Sequence, residues 1–442
     1  MSNSPSIARL ALLALAALSL GACASVPYAT TYEPPAIELP ADGSLDRAKL
    51  NAEVYDSVVR YVDKLFYKPG FGGVPFEQEA EARRAAAIAQ PTSDGLHGDL
   101  AQLLDLLDDD HTDTLSPLER LRYFEQLSGA EATGYGFTVT PRGDERLVAT
   151  VLPDTPAHAA GVLPGWRVES AGGRPVLLAQ PPVLGRTDTI VFLDEAGERH
   201  SSDLEGVPMP HRPRFAARRL DGNIAYIRFD DFDAERYRQY MAEFEAMAAN
   251  PPAGVIIDLR INGGGQLNIT GQMSGWLHAD KQDYALVYGR FINTRYFMLP
   301  APKAYLGPVV MLIGPGSASA AELFAGVAQE KGRAVIVGQT SRGAVTGTRP
   351  IELADGGLLR VGTIVMTTPG GKQLEGVGVT PDIIIPEDWQ AIREGRDPTL
   401  DAGIAALEAI MDPLTSSTHR TGTVSLVGTG SPGASGEASL GS

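Results

Sequence analysis

The chain has 442 residues, more than one ordinary domain needs, and 43% of them are hydrophobic, enough to build real cores. A formal charge of −17 excludes a nucleic-acid partner, whose phosphates call for a basic surface. The single cysteine, Cys23, leaves no intramolecular disulfide, no thiol nucleophile and no cysteine metal site.

Residues 1–23 read as an export signal: Arg9 precedes an apolar run from Leu10 to Leu20 that is too short to anchor a chain across a bilayer. The run ends in Leu20-Gly21-Ala22-Cys23, which resembles the bacterial lipoprotein cleavage box. That resemblance implies that Cys23 carries the lipid as the first mature residue. Ala24 in place of an aspartate implies an outer-membrane anchor facing the periplasm. The alternative is an ordinary cleaved signal that happens to contain a cysteine. Residues 24–44, rich in Pro, Ala and Thr, are a tether.

From 45 to 130 helical periodicity dominates. Val54, Val58, Val59, Tyr61, Val62 and Leu65 make one apolar stripe, and Leu100, Leu103, Leu104 and Leu107 another. Gly70-Phe71-Gly72-Gly73 breaks the first; Asp108-Asp109-Asp110-His111-Thr112 ends the second. A short helix starts at Ser116-Pro117.

Residues 131–206 change to short β runs at Phe137–Val139, Leu147–Leu152, Val168–Ser170 and Thr189–Leu193, with a small helix near Pro156–Ala160 closed by Gly161. Gly134-Tyr135-Gly136-Phe137, together with Thr155-Pro156-Ala157-His158-Ala159-Ala160-Gly161, resembles a PDZ module. The resemblance implies a loop whose N–H groups hold a peptide C-terminal carboxylate, next to an edge strand that accepts the peptide. Trp166 stands where that family has an aspartate. Alone, Gly-Tyr-Gly-Phe is also a turn into a strand.

Residues 207–390 alternate strands and helices: Ile224–Phe229, a helix Ala234–Ala248, Val255–Leu259, a helix after Leu267, Val309–Ile313, a helix Ser319–Lys331 and Ala334–Val337, with late strands at Leu358–Thr367 and Ile383–Ile385. This is the βα pattern of a sheet with helical crossovers. Residues 391–442 supply a last helix and a Ser/Gly/Thr-rich tail that reads as disordered.

Two stretches in this region carry chemistry. Val255-Ile256-Ile257-Asp258-Leu259-Arg260-Ile261-Asn262-Gly263-Gly264-Gly265 is a buried strand running into a glycine turn, and Gly314-Pro315-Gly316-Ser317-Ala318-Ser319-Ala320-Ala321-Glu322 puts serines at a helix mouth. An exposed serine facing glycine N–H groups is the minimum equipment for acyl transfer. Ser319-x-x-Glu322 is equally a helix capping box, and the glycines equally a tight turn. The order of motifs, from helical start through PDZ, DLRINGGG, SASAAE and GRAVIVGQTSRGA to LEGVGVTPDI, is similar to the tail-specific (C-terminal-processing) serine proteases.

That resemblance implies a multi-domain α/β architecture: an N-terminal helical region, a β-rich PDZ domain and a protease core of the crotonase/Clp-like type. It implies Ser319 as nucleophile, with Ser317 the nearby competitor. The helix N-terminus makes Ala320 N–H an oxyanion donor, with Gly264 or Gly265 beside it. Many members use a lysine base in the loop Thr340-Ser341-Arg342-Gly343-Ala344, but here that position is Ala344. A methyl takes no proton, and the guanidinium of Arg342 keeps its own. The tricorn-like branch of the family implies instead a histidine base, His111, with Glu375 as the late acid and Asp110 where that branch has a serine. His111 is otherwise a solvated histidine after an acidic helix end, and Glu375 a surface glutamate in a Gly-rich loop.

No motif has metal-ligand spacing and no nucleotide fingerprint appears, so no metal or cofactor is expected. The expected activity is a PDZ-assisted serine endopeptidase working through an acyl-enzyme, with protein or peptide substrates that engage through free C-termini. A catalytically inactive binding or scaffold protein on the same fold is the alternative.

Overall fold

The computed structural model describes residues 38–109, 111–128, 133–142, 145–176, 182–209 and 213–411. The export signal with Cys23, most of the tether, Asp110 and the tail from 412 lie outside the described residues.

The first stripe forms the helix Leu45–Leu65, begun by Ser44, whose Oγ accepts the Arg47 N–H at 3.1 Å. Its Val54, Val58 and Val62 pack with Leu96, Leu100, Leu103, Leu104 and Leu107 from the helix Ser93–Leu104 and the turn after it. Leu353, Leu359 and Val361, from far later in the chain, join the same cluster. The strand Asp113–Leu115 explains this junction. It pairs antiparallel with Leu358–Thr367, Thr114 opposite Leu359. The early helical region is therefore fastened to the core by a strand of its own.

The β-rich unit orders its strands Phe137–Arg142, Glu145–Val151, Arg167–Ala171, Thr187–Leu193 and Arg199–Glu205. Val148, Ala157, Val168, Ile190, Phe192 and Leu204 make its own small core. Phe137–Arg142 lies at the sheet edge.

The core sheet runs Phe215–Leu220, Ile224–Phe229, Gly254–Asp258, Val309–Ile313, Val335–Gly338 and Ile383–Ile384. All its pairs are parallel except the first. It is covered on both faces, which is why its strands are apolar without alternation. Val255, Ile257 and Met311 face Phe324 and its helix Ala320–Glu330; Ile256, Val310 and Leu312 face Leu407 in the helix Pro398–Met411. A second, antiparallel sheet joins Asp113–Leu115, Leu358–Thr367, Gln282–Gly289 and Asn293–Met298, with Thr346–Glu352 also paired to Leu358–Thr367.

Candidate active site

Ser319 stands where the strand Val309–Ile313 turns into the helix Ala320–Glu330. Its backbone has φ 55° and ψ −120°, a region that L-residues rarely occupy. A serine strained in this way at a strand-to-helix turn is the geometry of a nucleophile elbow. It also heads a capping box with Glu322, so the two readings of Ser-x-x-Glu hold together. Ser317 is different: fully buried, its Oγ donates to Leu259 O at 2.8 Å and accepts from Gly314 N–H at 3.1 Å. It ties the loop and is unavailable for attack.

The glycine turn lies against Ser319. A Cβ on Gly264 would come within 2.6 Å of Ser319 Cβ and 3.1 Å of Ala320 N, so only glycine fits there. The N–H of Gly264 is already given to Asn262 Oδ1 at 2.9 Å, which removes it as an oxyanion donor. Among the described residues the N–H groups of Gly265 and Ala320 have no acceptor, and they are the two left to hold an oxyanion. Asn262, a residue the sequence reading passed over, is fully buried and joins both loops: Ala318 N–H donates to its carbonyl at 3.0 Å. Asp258 and Arg260 pair with each other and, through Arg260, with Asp397. They secure the loop's base.

Glu322 is buried and accepts four donors. Oε1 takes Ser341 Oγ–H and Gly343 N–H, each at 2.6 Å, and Oε2 takes Ser319 N–H at 2.9 Å and Ala344 N–H at 2.8 Å. Burial pushes its carboxyl above the ordinary range, against the pull of those donors. Glu322 thus fixes the loop in which the family resemblance expects a lysine and this chain has Ala344. Ala344 is buried there. Lys331 follows the helix Ala320–Glu330, roughly 18 Å along its axis from Ser319, and Lys372 bonds Gln329 near that same far end. Neither amine is brought to the serine.

The Ala344–Val345 peptide unit links the serine to an acid. Its carbonyl accepts Ser319 N–H at 2.7 Å, and its N–H donates to Glu375 Oε2 at 2.7 Å. Ligand atoms of Glu375, His111 and Asp109 all lie within 4.8 Å of one another. The structure therefore gathers His111 and Glu375, which are distant in sequence, on the serine's side of the core. Among the described residues His111 makes no hydrogen bond, and its buried Nδ1 is unpartnered. Asp109 is the acid found beside it, where the sequence reading chose Asp110, which lies outside the described residues. Asp109 is held by Thr112 Oγ1–H at 2.5 Å, and Thr112 Oγ1 accepts Gly362 N–H at 2.9 Å. Tyr67, also missed, joins through its N–H to Gly362 O at 3.1 Å. Its phenol is pushed up to about 12, chiefly by burial, with Asp109 and Glu375 adding to it.

In the β-rich unit Gly134-Tyr135-Gly136-Phe137 leads into the edge strand. Gly136, at φ 98°, presses on Thr155 so closely that a Cβ would overlap it. Tyr135 is buried and donates to Asp188 Oδ2 at 2.7 Å.

Residues 223–385 match the model of Peptidase family S41. The chain is 27% identical over 295 residues to the carboxy-terminal-processing protease of Bartonella bacilliformis, covering 64% of this chain and 68% of that protein. It is 25% identical over 392 residues to the chloroplastic C-terminal processing peptidase of Tetradesmus obliquus, covering 81% and 82%. The solved photosystem II D1 C-terminal processing protease shares the fold at a TM-score of 0.58 and 22% identity, over 81% of this chain and 97% of that one.

Proposed function

We propose that this chain, which belongs to the tail-specific serine peptidases of family S41, cleaves protein or peptide substrates near their C-termini with Ser319 as nucleophile and His111, rather than a lysine, as base. The observation that carries the reading is the Ala344–Val345 peptide unit, which spans from Ser319 N–H to Glu375, itself within 4.8 Å of His111. His111 takes the proton of Ser319 Oγ as that oxygen attacks the scissile carbonyl carbon. Gly265 and Ala320 N–H hold the oxyanion, and the imidazolium returns its proton to the leaving amine. Water then repeats the sequence on the acyl-enzyme. Glu375 and Asp109 offset the imidazolium charge, and Asp110 lies between Asp109 and His111 in the chain. In this resting arrangement His111 must still close on Ser319, as bases commonly do when substrate binds.

Residues 131–206 serve as a PDZ module. The edge position of Phe137–Arg142 supports β-addition of an extended peptide, with Gly134, Tyr135, Gly136 and Phe137 near its carboxylate. The leader and Cys23 support export and a lipid anchor in the outer membrane, with the enzyme facing the periplasm.

The reading is tested with a fluorophosphonate probe and a C-terminal reporter peptide. Ser319→Ala loses labelling and cleavage, His111→Ala slows both by about 10²–10⁴-fold, and Lys331→Ala and Lys372→Ala match the unaltered chain. A collapse in either lysine variant would restore a Ser–Lys mechanism. The second reading, an inactive binder, is favoured by buried Ala344 and the unpartnered His111; it requires that the folded chain label not at all.

A further inference from the structure

The cluster around His111 is under-bonded in a way that charge relay does not account for. His111 Nδ1 and Asp109 Oδ1 are both buried and both lack a hydrogen-bond partner. An unpartnered buried polar atom is costly, and two within one cluster call for a common ligand. Their remaining neighbour, the Glu375 side chain, accepts Val345 N–H through Oε2 at 2.7 Å. One imidazole and two carboxylates, with ligand atoms within 4.8 Å of one another, form a nitrogen–oxygen set suited to a divalent cation of the zinc class. Tetrahedral zinc with bonds of about 2.0–2.1 Å separates its ligand atoms by about 3.3 Å. Closing to that spacing from within 4.8 Å is a side-chain movement, and Asp109 and Glu375 both lie outside helices and strands.

We propose that Asp109, His111 and Glu375 form a zinc site that switches the peptidase off. A bound cation takes the imidazole lone pair that would otherwise accept the Ser319 proton, so the metal and catalysis exclude each other. The fourth position is left to water. The inference rests on the reading of His111 as base for its regulatory half, while the metal site itself does not. A second cluster, Asp194, Glu198 and His200, is already internally satisfied. His200 Nε2 bonds Asp194 Oδ2 at 3.0 Å, and Asp194 Oδ1 accepts two backbone N–H groups.

The full chain, stripped with EDTA, is titrated with zinc chloride by calorimetry while fluorophosphonate labelling of Ser319 is followed in parallel. One zinc binds per chain, slows labelling, and EDTA restores the rate. Asp109→Asn, His111→Ala and Glu375→Gln each weaken zinc at least about tenfold, whereas His200→Ala leaves zinc affinity unchanged. Should the three variants fail to fold, the unaltered chain decides through the zinc dependence of labelling. Absence of zinc binding up to millimolar concentration, binding lost in His200→Ala but kept in His111→Ala, or binding that leaves labelling untouched overturns the switch. Those results leave the base assignment standing. If zinc binds through His111 while His111→Ala labels at the full rate, it is the base assignment that falls, and the switch with it.

Discussion

Asp231 puts a carboxylate against the glycine turn: a Cβ on Gly265 would lie 2.5 Å from its Oδ1. Burial, and then the charge of Asp233, push its carboxyl up to about 6, with Asp230 adding and Arg214 and Arg236 opposing. An acid whose folded-state pKa exceeds its unfolded value holds its proton more tightly in the fold. Its charged form therefore penalises folding. The penalty is complete above pH 6 and disappears as pH falls toward the ordinary aspartate value of 3.8. Asp231→Asn should accordingly stabilise the chain at pH 7.5, by at most about 3 kcal/mol and by less because Arg214, 3.4 Å away, loses one of its carboxylate partners and keeps Asp230. The gain should shrink between pH 6 and pH 4. Urea unfolding at both ends of that window checks this, and an equal shift at both would remove Asp231 as its source. The same scale explains Ala344. With Glu322 accepting from Ser319, Ser341, Gly343 and Ala344, the loop keeps its shape without a lysine.

The proposed base, His111, sits in the turn just before the strand Asp113–Leu115, whose partner Leu358–Thr367 has a weak point at Gly362. A Cβ there would collide with Asp109 Oδ2, would meet Thr346 Cγ2 at 2.8 Å and would crowd Thr112 Oγ1 at 3.1 Å. Gly362→Ala should therefore displace Asp109 and with it His111. Cleavage falls by about tenfold or more, while the melting temperature drops by only a few degrees. Loss of fold without a prior loss of activity would deny Gly362 this positioning role. Legibility in the sequence follows the same physics. The parallel strands Ile224–Phe229 and Val309–Ile313 are buried on both faces and stood out as apolar runs. The helix stripe of Val54, Val58 and Val62 stood out by its period. Strands with one wet face did not: Asn293–Met298 alternates exposed and half-buried residues, and Arg199–Glu205 is mostly polar. Asp113–Leu115 has three residues and exists through pairing with a strand about 245 positions away. Ser319, His111 and Glu375 were singled out as site candidates by ordered motifs, and the structure brings His111 and Glu375 together. Asp109 and Tyr67 were not, because only tertiary pairing with Gly362 brings them there.

At the scale of the molecule, one short helix docks the β-rich unit on the core. Trp389 lies against Gly165, where a Cβ would be 2.7 Å from the indole Cγ. Arg393, in the same helix Trp389–Arg393, donates to Pro164 O at 2.6 and 2.9 Å and pairs with Glu195 at 2.7 Å. Under the proposed PDZ capture, this contact sets the distance over which a peptide held at Phe137–Arg142 reaches Ser319. Capture on the same body raises the local concentration of the scissile bond only while the geometry lets both sites engage one chain. Trp389→Ala loosens that geometry and leaves the glycine cradle, Ser319 and His111 intact. The expected result is a higher KM for a long peptide with a free C-terminus, by about tenfold, with kcat and fluorophosphonate labelling unchanged. A short peptide that cannot span both sites should be cleaved equally by the two proteins. If labelling slows as well, Trp389 supports the catalytic residues themselves; if the long peptide is unaffected, the β-rich unit delivers no substrate through this contact.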